Sequence, residues 1–213
     1  ERWFHGQGEP GEARRRWEES RDDEGLLAAQ TWNSKLPVEW HTSTWVADRT
    51  VEYLQAAKTK GEPFCAWASF PDPHHPFDCP EPWNDMYDPE AVDIPEHRFR
   101  DLEKRPWWHQ KLYGNDGAID GNEYTDPQLG SVARISAQTD AQLRHMTANY
   151  YGMISLLDDN VGRILAALRA QGLDDNTLVI YTTDHGELLG DHGLILKGPT
   201  LYEGLAKVGL VIN

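Results

Sequence analysis

Four side chains of this sequence have the right chemistry to work together: His74, Asp184, His185 and Lys197. Asp184 and His185 are adjacent and offer anionic oxygen beside neutral nitrogen, a donor pair that suits a divalent cation. Lys197 follows in a loop with Gly193 and Gly198 on either side. Those glycines would let the backbone carry an ammonium close to an anion. His74 lies in Phe70-Pro-Asp-Pro-His-His-Pro-Phe-Asp78, where Pro73 and Pro76 stiffen the loop around the imidazole. A pair of histidines in a loop is, by itself, more often a surface feature than a site. His75 is the alternative to His74 in register.

The residues around these four extend the pattern. Asp184-His-Gly-Glu-x-x-Gly-Asp-His-Gly193 is followed by Lys197-Gly-x-Thr-x-Tyr-Glu-Gly204. This order resembles the second signature region of the sulfatase family, within the alkaline-phosphatase-like superfamily. The resemblance implies that Asp184 and His185 bind a divalent metal, Ca2+ in the first instance and Mn2+ or Mg2+ otherwise. It implies that Lys197 contacts the sulfate. A strand followed by Pro-His-x-Pro-Phe also recurs in that family, so His74 is expected to contact the sulfate and protonate the leaving group. The implied catalytic and substrate-binding residues are thus His74 and Lys197. Glu187, Asp191 and His192 are expected to support the ligands, and Glu203 either orients the lysine loop or is a surface acid.

The implied activity is hydrolysis of a small-molecule or carbohydrate sulfate ester. The nucleophile in such enzymes is a formylglycine made from Cys/Ser-x-Pro-Ser-Arg. Neither Cys65, followed by Ala-Trp-Ala, nor Cys79, followed by Pro-Glu-Pro, stands in that pattern. The formylglycine and two further metal-binding aspartates are therefore expected in a segment upstream of Glu1. The chain, residues 1–213, reads as part of a single sulfatase-like catalytic domain truncated at both ends, inactive alone. Two other readings stand beside this one: a phosphonate monoester or phosphodiester hydrolase of the same superfamily, and a non-catalytic metal-binding remnant.

The positioning elements follow from pattern. Asn176–Tyr181 is a short apolar run with β-branched residues, bounded by turn formers, and reads as a buried strand. Asp184 and His185 then lie just past its carboxyl end, where ligands gather in open α/β sheets. Residues 64–70 and 207–212 read as two more strands. All three are expected as neighbours in a mainly parallel sheet flanked by helices, an α/β fold. Thr42–Lys58 shows a helical apolar face through Trp45, Val46, Val51, Tyr53 and Leu54, with Arg49 and Glu52 as surface partners.

Ser136–Gln171 is the strongest helix. Tyr150, Met153, Ile154, Leu157, Val161, Ile164, Leu165 and Leu168 form one stripe, and Gly172 is a natural C-terminal stop. Asp159 is expected to pair with Arg163 one turn on. Residues 1–35 read as a solvated loop or surface helix. Residues 78–135 have no clean period but hold Trp83, Tyr87, Trp107, Trp108, Tyr113 and Tyr124. They form either a substrate-pocket wall or a loop anchored to the core by its aromatics.

Composition narrows the partners. The chain has 213 residues, 39% of them hydrophobic, and a formal net charge of −15. That is enough for a buried core, and the charge argues against nucleic acid, which needs a basic footprint. No apolar run reaches membrane-span length, so no membrane partner is expected. Two cysteines are too few for a disulfide framework. Cys65 is expected to be buried, with Cys79 the more exposed. The oligomeric state is not legible.

Overall fold

A computed structural model describes residues 7–21, 28, 30–96, 104, 138–198 and 200–213. The first helix, α1 (Glu12–Arg21), falls within the stretch expected to be loop or surface helix. Its pairs Arg14–Glu18 and Arg16–Glu12 are one turn apart and solvent-facing. Helix α2 (Thr42–Lys60) ends at Gly61, whose φ of 69° is the left-handed stop that favours glycine. The face it buries is made of small residues, Ser43, Thr44, Ala47 and Ala57, together with Leu54. Bulkier Tyr53 points outward and meets Phe64 edge-on. Small side chains let α2 lie close against α3 (Asp140–Ala170), its principal neighbour.

Helix α3 is the spine of the described structure. Thr139 caps it, accepting from the Gln142 amide at 3.2 Å, while the Gln142 side chain accepts from the Thr139 amide at 2.9 Å. The helix buries Leu143, Met146, Met153, Leu156, Leu157 and Leu168, but also Asn149, Gly152 and Asn160. The apolar pattern predicted Met153, Leu157 and Leu168 correctly, whereas Ile154 is 40% exposed. Two positions outside the apolar pattern, Asn149 and Gly152, explain the packing better. The Asn149 amide, 1% exposed, reaches the carbonyls of Trp32 (3.0 Å) and Phe77 (3.1 Å) and so ties two loops to the helix. A Cβ on Gly152 would lie 2.4 Å from the Trp83 carbonyl and 2.6 Å from the Cys79 sulfur, so the 79–83 loop packs directly on the helix backbone. Phe77 and Cys79, both 0% exposed, complete this core with Met146, Met153, Ile195 and Leu196.

Several expectations are corrected here. Arg163 pairs with Asp48 of α2 at 2.5 Å, not with Asp159 on its own helix, because a tertiary partner faces its guanidinium. The Arg49–Glu52 pair forms at 2.6 Å. Cys79 is buried and Cys65 exposed, the reverse of expectation, because Cys79 is held against Gly152 while the 64–70 segment has no covering layer among the described residues.

The sheet also differs. Strand β1 (Ile180–Thr182) pairs with β2 (Leu210–Ile212), so these two are neighbours as expected, but they run antiparallel with Tyr181 opposite Val211. The chain between them turns back through a loop and one short helix, α4 (Glu203–Ala206), onto the same edge. A parallel return would need a crossover. Residues 64–70, expected as a strand, form no strand and join no described ladder. The β1 and β2 side chains, expected to be buried, are exposed. Parallel contacts occur elsewhere, as isolated bridges of Thr31 with Phe77 and Ser34 with Pro80. Among the aromatics of the irregular stretch, Tyr87 stands edge-on to Tyr151 at 5.5 Å and its hydroxyl meets Ser155 at 2.8 Å, which ties it to α3, while Trp83 packs against the core. Trp107, Trp108, Tyr113 and Tyr124 lie outside the described residues. Among the described residues no helix is long and apolar enough to cross a membrane.

Candidate active site

Asp184 and His185 follow β1 directly, and the local backbone orients both. The Asp184 carboxylate accepts the His185 amide at 2.9 Å through Oδ1. His185 Nδ1 lies 2.8 Å from the Gly186 carbonyl, so it carries the proton and donates. That leaves the Nε2 lone pair free, 3.6 Å from Asp184 Oδ2. A histidine that gives one ring proton to a backbone carbonyl and turns the other nitrogen outward is prepared as a metal ligand. The Asp184 side chain is 87% exposed, so its second oxygen is available. The pair fits two positions of a divalent cation's coordination shell. Among the described residues no third His, Cys, Asp or Glu joins them.

Gly186 explains the next motif position. Its amide donates to Leu205 at 2.9 Å, and a Cβ there would sit 1.9 Å from the Gly204 carbonyl. The Asp-His-Gly and Tyr-Glu-Gly segments, separate in sequence, therefore touch backbone to backbone. Between them the 188–196 loop is a tight hydrogen-bonded knot: Leu188 N–H to Leu196 O at 3.2 Å, Gly190 to Leu194 at 2.8 Å, Asp191 to Leu188 at 2.8 Å. Leu189, His192 and Leu196 take positive φ inside it, unusual for residues with a Cβ and concentrated at functional loops. Leu188, Leu194 and Leu205 pack beneath, so the strained loop has a small core of its own. His192 stacks on Tyr202 at 4.2 Å, a supporting contact that ties the two halves of the motif together.

Lys197 leaves this knot half-buried. Burial lowers its pKa, and the carboxylates of Glu187 and Asp184 act in the opposite sense. Glu187 is pushed up to about 7 by burial, opposed by hydrogen bonds from the Leu188 and Leu189 amides and by the Lys197 charge. The ammonium thus lies within electrostatic reach of both acids. It also reaches His75, which is pushed down to about 4 by burial, then by His74, then by Lys197.

His74 and His75 differ in kind. The rings are 4.1 Å apart, but His74 is exposed while His75 leans on Phe77, edge-on at 6.4 Å, with a buried Nδ1 that has no hydrogen-bonding partner. The amide of His74 closes a turn onto the Pro71 carbonyl at 3.0 Å, and its Nδ1 donates to the His75 carbonyl at 2.5 Å. Nε2 of His74 is therefore the atom left for a ligand.

Two groups near the site were not singled out from sequence. Tyr150 appeared only as a stripe residue, yet its hydroxyl is pushed up to about 12 by burial and by Glu187, Tyr181, Tyr151 and Asp184. Its ring also packs on Phe77 at 5.6 Å, so one side chain spans the two motif loops. Asp78 is pushed up to about 8 by burial and by Asp72. The only sequence signal for it was its place directly after the histidine loop.

The sulfatase family model matches residues 17–213. An uncharacterized sulfatase, YidJ, of Escherichia coli is 32% identical over 81% of this chain, and the match spans 31% of that relative. An arylsulfatase of Clostridium perfringens is 32% identical over 81% of this chain and 32% of its own length. The chain thus spans about a third of the curated relatives it matches. Among solved structures, a phosphonate monoester hydrolase of Agrobacterium radiobacter matches 85% of this chain and 34% of its own with a TM-score of 0.63 at 29% identity. On the extent of these matches, the chain belongs to the sulfatase family of the alkaline-phosphatase-like superfamily.

Proposed function

We propose that this chain contributes the metal-binding pair, the anion-binding lysine and the proton donor to a sulfuric ester hydrolase. The observation that carries the reading is geometric: Asp184 and His185 leave a carboxylate oxygen and a ring nitrogen for a cation, and the Leu188–Leu196 backbone bond brings Lys197 back beside them, where its charge acts on Asp184, Glu187 and His75. A dense group of ionisable side chains from two distant loops in a chain of net charge −15 has a reason to form if an anion and a cation are to be bound together.

Asp184 and His185 would hold the cation, Ca2+ or else Mn2+ or Mg2+, which when bound polarises the sulfuryl oxygens. Lys197 offsets negative charge growing on those oxygens as the bond from sulfur to the ester oxygen breaks. His74, in its imidazolium form, keeps its Nδ1 proton on a backbone carbonyl and gives its Nε2 proton to the departing alcohol oxygen, which leaves the neutral ring with its proton on Nδ1. His75 is the poorer donor, because burial pushes its pKa down to about 4 and the ring is then the neutral imidazole, a weak acid, at neutral pH. The attacking group, a formylglycine in the family the chain belongs to, is expected from a segment outside these residues. The substrate class is a small-molecule or carbohydrate sulfate ester.

The likeness to a phosphonate monoester hydrolase supports a second reading, in which the same groups receive a phosphonate or phosphodiester. Paired sulfate, phosphonate and phosphodiester substrates with a common leaving group separate the two when turned over by the protein that carries this chain. Lys197→Ala should lower turnover about 100-fold, roughly 3 kcal/mol, with little change in melting temperature. Faster turnover of the phosphonate would favour the second reading. A near-normal rate for Lys197→Ala with a large fall in melting temperature would make Lys197 structural and remove the main support for either.

A further inference from the structure

Asp72 has no place in the mechanism above, yet its side chain is anchored away from solvent. Its side chain is only 8% exposed. The Ser43 hydroxyl donates a short hydrogen bond to Oδ2. His41, 5% exposed, sets its Nδ1 3.3 Å from the same oxygen but off the hydrogen-bonding axis, so that nitrogen has a carboxylate neighbour and no bonded partner. Its charge is also felt at Asp78 and Cys79, two of the next residues on the loop.

The placement relative to α2 gives a reason for this. His41 is the N-cap of α2 and Ser43 lies in its first turn. The His41 side chain makes no capping bond, and no acidic residue occupies that turn. The amino end of a 19-residue helix thus lacks the negative charge that its dipole favours. Asp72 brings that charge from another part of the chain. The effect runs both ways, because a carboxylate fixed at a helix end also fixes the loop that carries it. Asp72 is inside the turn that the His74 amide closes on Pro71, two residues before the imidazole. A bond held at Asp72 therefore restrains the backbone from which His74 projects, and His74 Nδ1 makes its 2.5 Å contact with the His75 carbonyl from that backbone.

We propose that Asp72 is a positioning residue for His74: bonded to Ser43 and packed against His41 at the start of α2, it holds the loop so that His74 keeps its Nδ1 proton on the backbone and offers Nε2 to the ligand. The inference rests on the reading of His74 as proton donor, and two readouts keep the failures apart.

The first readout needs no activity. The ring-nitrogen 15N shifts of His74, in neutral chain labelled at histidine, should show one tautomer with the proton on Nδ1. In Asp72→Asn and in Ser43→Ala they should move toward a mixture of tautomers. Unchanged shifts in both variants would overturn the inference. Ser43→Ala carries this test if Asp72→Asn does not fold.

The second readout is turnover of sulfate esters with leaving groups of graded pKa by the protein carrying this chain. His74→Ala should lose about 10²–10⁴-fold on poor leaving groups and little on activated ones, the mark of a lost proton donor. Asp72→Asn should lose about tenfold with the same dependence on leaving group. If His74→Ala shows that dependence and Asp72→Asn does not, the positioning role fails and the proton donor stands. If His74→Ala shows none, the proton-donor reading fails and takes the positioning role with it.

Discussion

Replacing Gly186 with alanine tests whether the two halves of the motif must touch. The added Cβ would lie 1.9 Å from the Gly204 carbonyl oxygen, where ordinary contact begins at 3.4 Å. One backbone must therefore retreat by about 1.5 Å to reach a normal separation. Neither can yield by rotating a side chain, since both partners are main chain. The Gly186 amide is also bound to Leu205 at 2.9 Å, so retreat stretches or breaks that bond. Losing it costs about 1 kcal/mol, and forced repacking about 1–3 kcal/mol more. The sum, roughly 2–4 kcal/mol, corresponds to a fall in melting temperature of about 5–15 °C for a chain of this size. Gly162→Ala is the matched control, because a Cβ on that glycine within α3 meets nothing within 4 Å. It should raise stability by about 0.5–1 kcal/mol, since alanine is the better helix former. Thermal melts of the three proteins side by side decide the matter. A Gly186→Ala protein that melts with or above wild type would show that the 184–187 and 203–206 segments do not meet as described.

Asp78→Asn should stabilise the protein at pH 7 and do nothing at pH 4. The folded carboxyl holds its proton up to about 8 and the unfolded one releases it near 3.8, so the wild type loses stability as pH rises through that window while asparagine does not. The ceiling at pH 7 is about 4 kcal/mol, and about 1–2 is expected from a site that water partly reaches. Denaturant melts of both proteins at the two pH values give the difference directly, and an equal difference at both would refute it. His75 acts in the opposite window: its folded pKa of about 4 lies below the unfolded 6.5, so its contribution is complete above pH 6.5 and is lost as pH falls toward 4. His75→Gln should flatten the dependence of melting temperature on pH over that range, and an unaltered slope would count against a desolvated neutral ring. Gly152→Ala should destabilise by about 1–3 kcal/mol in chemical denaturation, because its Cβ would meet the Trp83 carbonyl and the Cys79 sulfur. A neutral result would mean that the 79–83 loop does not rest on α3.

The sequence alone was sufficient for the motif and for the two long helices, α2 and α3. Asp184, His185 and Lys197 stand in an order long enough to point to one family, and the 3.6-residue period of α3, with Gly172 as its stop, belongs to local backbone physics. Pairing belonged to tertiary structure. A short apolar run reads as a buried strand whichever way its neighbour runs, so neither the antiparallel match of Tyr181 with Val211 nor the exposure of both strands was legible. Burial of single residues went the same way: Cys79 and Cys65 exchanged their expected environments because the first lies against a glycine of α3. Asp72 and Tyr150 were equally unreadable, one a loop acid and the other a stripe aromatic until the fold set them at a helix end and between two loops. Sequence records which groups a chain carries and their local period. Charge, burial and contact depend on what lies across a gap that only the folded chain closes.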